Sequence, residues 1–185
     1  MEGNIVFEGK TESGLSILIR YPTVEDAQVM RDYINELSKE QTFIAFYGKQ
    51  FSLAEEQEVV RETIKKIQSK TAVQLLVFSV SKLIAVSDIT LQTKEVFNHE
   101  GTFGLSVLRE YRGKGIRKIL MQFVVNEAIK YIPQLRIITL SVFSNNPIAI
   151  NLYKKFGFVE FGRLPQGVLH KGNFVDHVYM YKKIR

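Results

Sequence analysis

A single mixed α/β domain is the fold class predicted by this 185-residue chain, and three observations carry the prediction. Stretches with a two-residue apolar period alternate with stretches of helical period. A strand-helix-strand-helix run fills the second half, and no linker, internal repeat or charge block interrupts the order. At roughly 150 residues per domain, the length suits one unit over residues 1–185. The expected architecture is a central sheet of about seven strands flanked by four helices.

Leu15, Ile17 and Ile19 give a first strand ending at Tyr21 and Pro22. Thr23 reads as a helix cap with Asp26 three residues on, and Ala27, Met30, Ile34 and Leu37 carry the helix to about Lys39. Ser52 caps a second helix, with Glu55 and Glu56 early and Lys65 and Lys66 late, as the helix dipole prefers. Val73 to Val80 and Leu83 to Leu91 are β-rich runs joined at Ser81 and Lys82. Phe103, Leu105 and Val107 alternate with Thr102, Gly104 and Ser106 in the next strand. From Ile116 the period changes to that of a helix, which Pro133 closes. Arg136 to Phe143 is a strand, Pro147 to Phe156 a helix ended by Gly157, and Val159 to Leu164 and Phe174 to Ile184 are closing strands.

Composition removes several chemistries. Hydrophobic residues make up 45% and charged residues 24%, as in globular proteins, which excludes a disordered or low-complexity chain. Cysteine is absent, so disulfides, thiolate nucleophiles and iron-sulfur clusters are excluded. Three histidines without a His-x-x-x-His pair predict no metal site. The net charge of +6 favours an anionic partner. Met1 to Lys10 lacks the basic-then-apolar order of a secretory signal, and Val73 to Leu91 is too polar to span a bilayer, so a cytoplasmic location without a membrane partner is expected.

Arg112-Gly113-Lys114-Gly115-Ile116-Arg117 stands between a predicted strand and a predicted helix, where free N–H groups and the positive dipole end point outward together. Glycines let a diphosphate approach the main chain, and Arg112, Lys114, Arg117 and Lys118 add positive charge. The same residues also suit a tight turn with a solvated basic rim. No Walker loop is present, and Lys118 stands where a dinucleotide fingerprint needs Gly or Ala.

Asn146 before Pro147 is a helix start, and Tyr153 lies seven residues on, roughly 10 Å along the same face, with Ala149 between them. That face can press against an extended ligand, although capping and aromatic packing also account for these residues.

The run Leu105-Ser106-Val107 followed by Glu110 to Ile116 resembles the coenzyme-binding segment of the GNAT superfamily of N-acetyltransferases, with its Arg/Gln-x-x-Gly-x-Gly/Ala motif. Arg112 and Gly115 match, whereas Arg117 replaces the final Gly or Ala. Asn146, Ala149, Tyr153, Gly157 and Phe158 resemble the second signature of that family. The resemblance implies a splayed strand pair that holds acetyl-CoA. Leu105, Ser106 and Val107 would meet the pantetheine arm, residues 112 to 117 its diphosphate, and Asn146 and Ala149 its flank. It implies Tyr153 as general acid. Many members carry a Glu where this chain has Thr102, so Asp88 and Glu100 are the substitute bases, each also readable as a solvated carboxylate.

On the acceptor side, Phe43, Tyr47, His170 and Asp176 are the expected contacts, and packing between helices also suits the aromatics. The acceptor would be an amine-bearing small molecule or a protein or peptide amine, and a homodimer is compatible. A nucleic-acid-binding domain using the basic 109–118 loop is a rival that lacks a recognisable module. A coenzyme A sensor with degenerate catalysis is another.

Overall fold

The computed structural model describes residues 1–46 and 48–184. Its strands are β1 (Ile5–Lys10), β2 (Ser16–Arg20), β3 (Ala72–Ser79), β4 (Lys82–Leu91), β5 (Glu100–Val107), β6 (Ile137–Phe143), β7 (Val159–His170) and β8 (Asn173–Lys183). Its helices are α1 (Ala27–Lys39), α2 (Leu53–Gln68), α3 (Ile116–Tyr131) and α4 (Pro147–Lys155). The strands form one sheet in the order β1-β2-β3-β4-β5-β6-β8-β7, which is the expected mixed architecture with one strand more.

The additional strand is β1. Its sequence, IVFEGK, ends polar, and it pairs only with β2 at the edge of the sheet, so it lacks the buried face that makes a strand legible. At the other edge β7 runs past Leu164 to His170. Pro165 sits within it because an edge strand has no second neighbour needing its N–H, and irregular register at Leu164/Val168 absorbs the misfit. The β3–β4 turn is Val80-Ser81, one residue earlier than expected, with Val80 at φ +58 and pointing into solvent.

Helix starts follow side-chain chemistry. Ser52 Oγ accepts from Glu55 N–H at 3.2 Å while Glu55 Oε2 accepts from Ser52 N–H at 2.8 Å, the reciprocal box that starts α2. Thr23 instead opens a short 3-10 turn, and α1 begins at Ala27. There Asp26 accepts from Thr23 N–H and from both terminal nitrogens of Arg20, at 2.6–2.7 Å.

The two sheet faces bury different helices. Leu120, Met121, Val124 and Ala128 of α3 pack with Val73, Leu75, Ile84 and Ile89, and α4 adds Ala149 and Tyr153 to that core. On the other face, Met30, Tyr33, Leu37, Val60 and Ile64 of α1 and α2 pack on Leu76, Phe78 and Leu83. Covered on both sides, β3 is buried almost throughout. Among the described residues no helix is long and apolar enough to cross a membrane.

One feature of the sheet positions the site. β5 and β6 are parallel and pair only at Glu100–Ile137, Gly101–Ile138 and Thr102–Thr139. Beyond them β5 stays with β4 to Val107, and β6 stays with β8 to Phe143. The parallel pair therefore splits. Gly101 sits at the closed end, where a Cβ would come within 2.8 Å of Ile89 and 2.9 Å of Leu135.

Candidate active site

The split exposes main-chain groups. Gln92 N–H donates to the Glu100 carbonyl and Leu108 N–H to the Ile84 carbonyl, at the two ends of an unbroken β4–β5 register. Even-numbered residues of β5 thus bond to β4, and the polar groups of Phe103, Leu105 and Val107 face the side that β6 has left. A cavity of about 220 Å³ occupies the opening. Residues 103–107 form one wall and Ser141, Val142 and Phe143 the other, with Asn146, Ala149 and Tyr153 of α4 also lining it.

The glycine loop adjoins this cavity through a groove that shares Val107, Arg112, Arg117 and Leu152 with it. Gly113 at φ +77 and Gly115 at φ +81 turn the chain into α3, with Gly115 at the cap position. Ile119 N–H is the first in the helix to find an acceptor, the Gly115 carbonyl, and the N–H groups of residues 113 to 118 bond to no described residue. These consecutive free amides at a helix start form an anion nest. Ile116 is buried, so only its main chain is available there. Lys114 stands over the Tyr111 ring at 5.0 Å, and Lys118 pairs with Glu12 at 2.7 Å.

A Cβ on Gly115 would meet nothing closer than 3.8 Å, so the left-handed backbone and not space demands glycine. Gly115→Ala is expected to destabilise the fold by about 1–2 kcal/mol. It should also weaken binding of coenzyme A at the nest. Thermal melting and calorimetry read the two effects.

Arg112 does not face the groove as a free cation. Its Nε donates to the Val107 carbonyl at 2.9 Å and its Nη2 to Glu40 at the end of α1; Glu40 also accepts from Arg109 N–H. Arg112 therefore braces the end of β5 and the lead into the loop. Glu40 was not foreseen, because it lies 72 residues from its partner. Arg117 is half-buried and makes no hydrogen bond or ion pair with any described residue; burial first, and then Arg112, press its pKa down.

On α4, Asn146 Oδ1 accepts from Ala149 N–H at 3.3 Å, the expected cap. Tyr153 is buried with its ring edge-on to Phe103 at 5.9 Å and 6.0 Å from Phe158. Its hydroxyl bonds to no described residue. Burial raises the phenol above its ordinary pKa, with Arg117 pulling the other way. Of the strand residues, Ser106 shares a hydrogen bond with Tyr33 at 2.7 Å.

The expected bases separate. Asp88 lies across from Gly104 on β4, and a Cβ on Gly104 would fall 2.6 Å from its Oδ1. The mid-strand glycine thus marks a carboxylate folded over the cavity wall and not a bulge. Burial pushes Asp88 up to about 6, against a Thr90 hydrogen bond that lowers it. Glu100 is at the closed end, accepting from Thr139 Oγ1 at 3.0 Å, about 13 Å of strand from Gly104.

The acceptor-side expectations divide as well. Phe43 lines the cavity with Thr42, Ile44 and Phe143. His170 does not; it is buried against Phe43 (4.8 Å) and Phe143 (5.5 Å), with its Nδ1 2.9 Å from Asn145 Nδ2, and burial lowers its pKa. Asp176 is not among the residues that line the cavity. Its carboxylate accepts from Gln166 N–H and Arg163, contacts that hold the β7–β8 hairpin and keep its pKa low. Tyr47 lies outside the described residues. Phe103, Ser141 and Phe143 were missed, because ordinary strand alternation carries no sign that a strand borders a gap.

A sheet split between two parallel strands, with an amide nest at the mouth and a phenol lining the opening, is the arrangement that the resemblance to acetyl-CoA-dependent N-acetyltransferases implies. The sequence profile of the Acetyltransferase (GNAT) family matches residues 25–158, and the chain belongs to that family. The family's enzymes are acyltransferases that take acetyl-CoA as donor. Over 92 residues the chain is 32% identical to the L-amino acid N-acetyltransferase AaaT of Escherichia coli, a stretch covering 50% of this chain and 56% of that protein. The chain spans about half the length of the curated relatives it matches. A GNAT-family acetyltransferase structure from Streptococcus pneumoniae superimposes with a TM-score of 0.80 at 26% identity, over 91% of this chain and 99% of that one. YncA of Salmonella typhimurium, solved with its cofactor acetyl-CoA, shares the fold with a TM-score of 0.77 at 15% identity, over 91% and 94% of the two chains.

Proposed function

We propose that the protein moves an acetyl group from acetyl-CoA to a primary amine on a small molecule or a protein or peptide. The observation carrying this reading is the amide nest of residues 113–118 opening into the split between β5 and β6. The diphosphate sits on those amides. The pantetheine arm runs along the open main-chain edge of β5 at Leu105 and the Val107 N–H, and Asn146 and Ala149 flank it. The Val107 N–H points to the developing oxyanion of the thioester carbonyl.

Attack by the amine nitrogen forms the new C–N bond as Asp88 takes the amine proton. Collapse then breaks the C–S bond, sends its electron pair to sulfur, and draws a proton from Tyr153 to that sulfur. Asp88 is preferred to Glu100 because its carboxylate overlies Gly104 in the cavity wall, whereas Glu100 is held by Thr139. Thr42, Phe43, Ile44 and Phe143 form the wall that meets the acceptor.

Titration with coenzyme A in a calorimeter should show one saturable site. Incubation with acetyl-CoA and a panel of amino acids, polyamines and peptides should add the mass of one acetyl group to at least one amine. Binding of the coenzyme without transfer to any amine in the panel would leave a coenzyme-binding protein and remove the enzymatic reading.

A further inference from the structure

Arg117 occupies the motif position where the family has glycine or alanine, and it lines both the phosphate groove and the cavity. The neighbouring Arg112 is neutralised by Glu40. Arg117 has no such partner among the described residues. A cation withdrawn from water and set beside a second guanidinium is unfavourable until an anion reaches it. Tyr153 lines the same cavity. Its ring packs on those of Phe103 and Phe158, and the charged residues lining the cavity with it are Arg112, already paired, and Arg117.

We infer that Arg117 is a positioning residue for the leaving-group step: it holds the negative charge left on Tyr153 when the phenol's proton passes to the departing sulfur. The inference rests on Tyr153 being the general acid. In that step the C–S bond breaks with its electron pair going to sulfur, and the Tyr153 O–H bond breaks with its pair staying on oxygen. The proton joins sulfur, and the phenolate remains beside the guanidinium until solvent reprotonates it. A glycine or alanine at this position supplies no charge, so this chain would place on a side chain a stabilisation that the motif residue leaves to its surroundings.

The test is a double-mutant cycle with Arg117→Met, Tyr153→Phe and the double variant, measured as kcat and as coenzyme A affinity. Arg117→Met should lower kcat about 10-fold or more with little change in coenzyme A affinity, and should cost less than about 2-fold further when Tyr153 is already Phe. Arg117→Lys should restore part of kcat. Tyrosinate absorbance supplies a readout that needs no turnover: the signal lost on Tyr153→Phe should titrate at higher pH in the Arg117→Met background than in the wild type. Equal losses of kcat in both backgrounds, or a loss confined to coenzyme affinity, would overturn the inference and leave Arg117 as a diphosphate contact. A Tyr153→Phe variant with unchanged kcat would sink the general-acid reading itself, and the inference with it.

Discussion

Replacing Tyr153 with phenylalanine is expected to lower kcat by about 100-fold or more while leaving the fold and coenzyme affinity nearly unchanged. The separation follows from the packing. Phenylalanine keeps the ring between Phe103 and Phe158, so no cavity opens, and the lost hydroxyl bonds to no described residue. Its removal should change stability by less than about 0.5 kcal/mol, the range for substitutions that break no contact. A burst or single-turnover experiment reads the chemical step directly. Loss of activity accompanied by an equal loss of thermal stability would make Tyr153 a packing residue.

Asp88→Asn should show an opposite pair of effects, lower activity and higher stability. In the proposed mechanism ionised Asp88 takes the proton from the attacking amine, and its removal should reduce kcat/KM by about 100-fold at neutral pH. In the wild type, kcat/KM should rise through a pH of about 6, where Asp88 ionises, and the variant should lose that limb. A carboxyl whose folded pKa lies above its unfolded value near 3.8 stabilises the fold when protonated, below that value. The advantage is lost as pH rises toward about 6, so at neutral pH the buried charge opposes folding. Asparagine removes that charge, and melting at neutral pH should report a gain on the order of 2 kcal/mol, which fades below pH 4. A variant that is both inactive and less stable would point to Asp88 as a strut between β4 and β5.

Much of the fold was legible because its signals are local. A glycine pair before an apolar helical stripe, an asparagine and proline opening a helix, and Ser52 with Glu55 each depend on groups within a few residues of one another, so composition and spacing are enough to read them. The turn with its free amides was legible for the same reason, since those amides belong to one continuous stretch of chain. Gly104 shows the limit. A glycine within a strand signals a close approach, but only the β4–β5 register identifies the visitor as the Asp88 carboxylate.

By itself, then, the sequence determined the alternation of strands and helices, the glycine turn from Arg112 to Arg117, and the presentation of Tyr153 on the same helix face as Asn146. Tertiary structure alone decided that Glu40 neutralises Arg112 and that Asp176 belongs to a hairpin. It also decided that Asp88 and not Glu100 lies against Gly104, and that Ile5–Lys10 becomes an edge strand. Helical periods, caps and turns are short-range, whereas each of these outcomes joins segments far apart in the chain. Their meeting depends on the sheet order and on where the parallel pair ends, and no local preference encodes either.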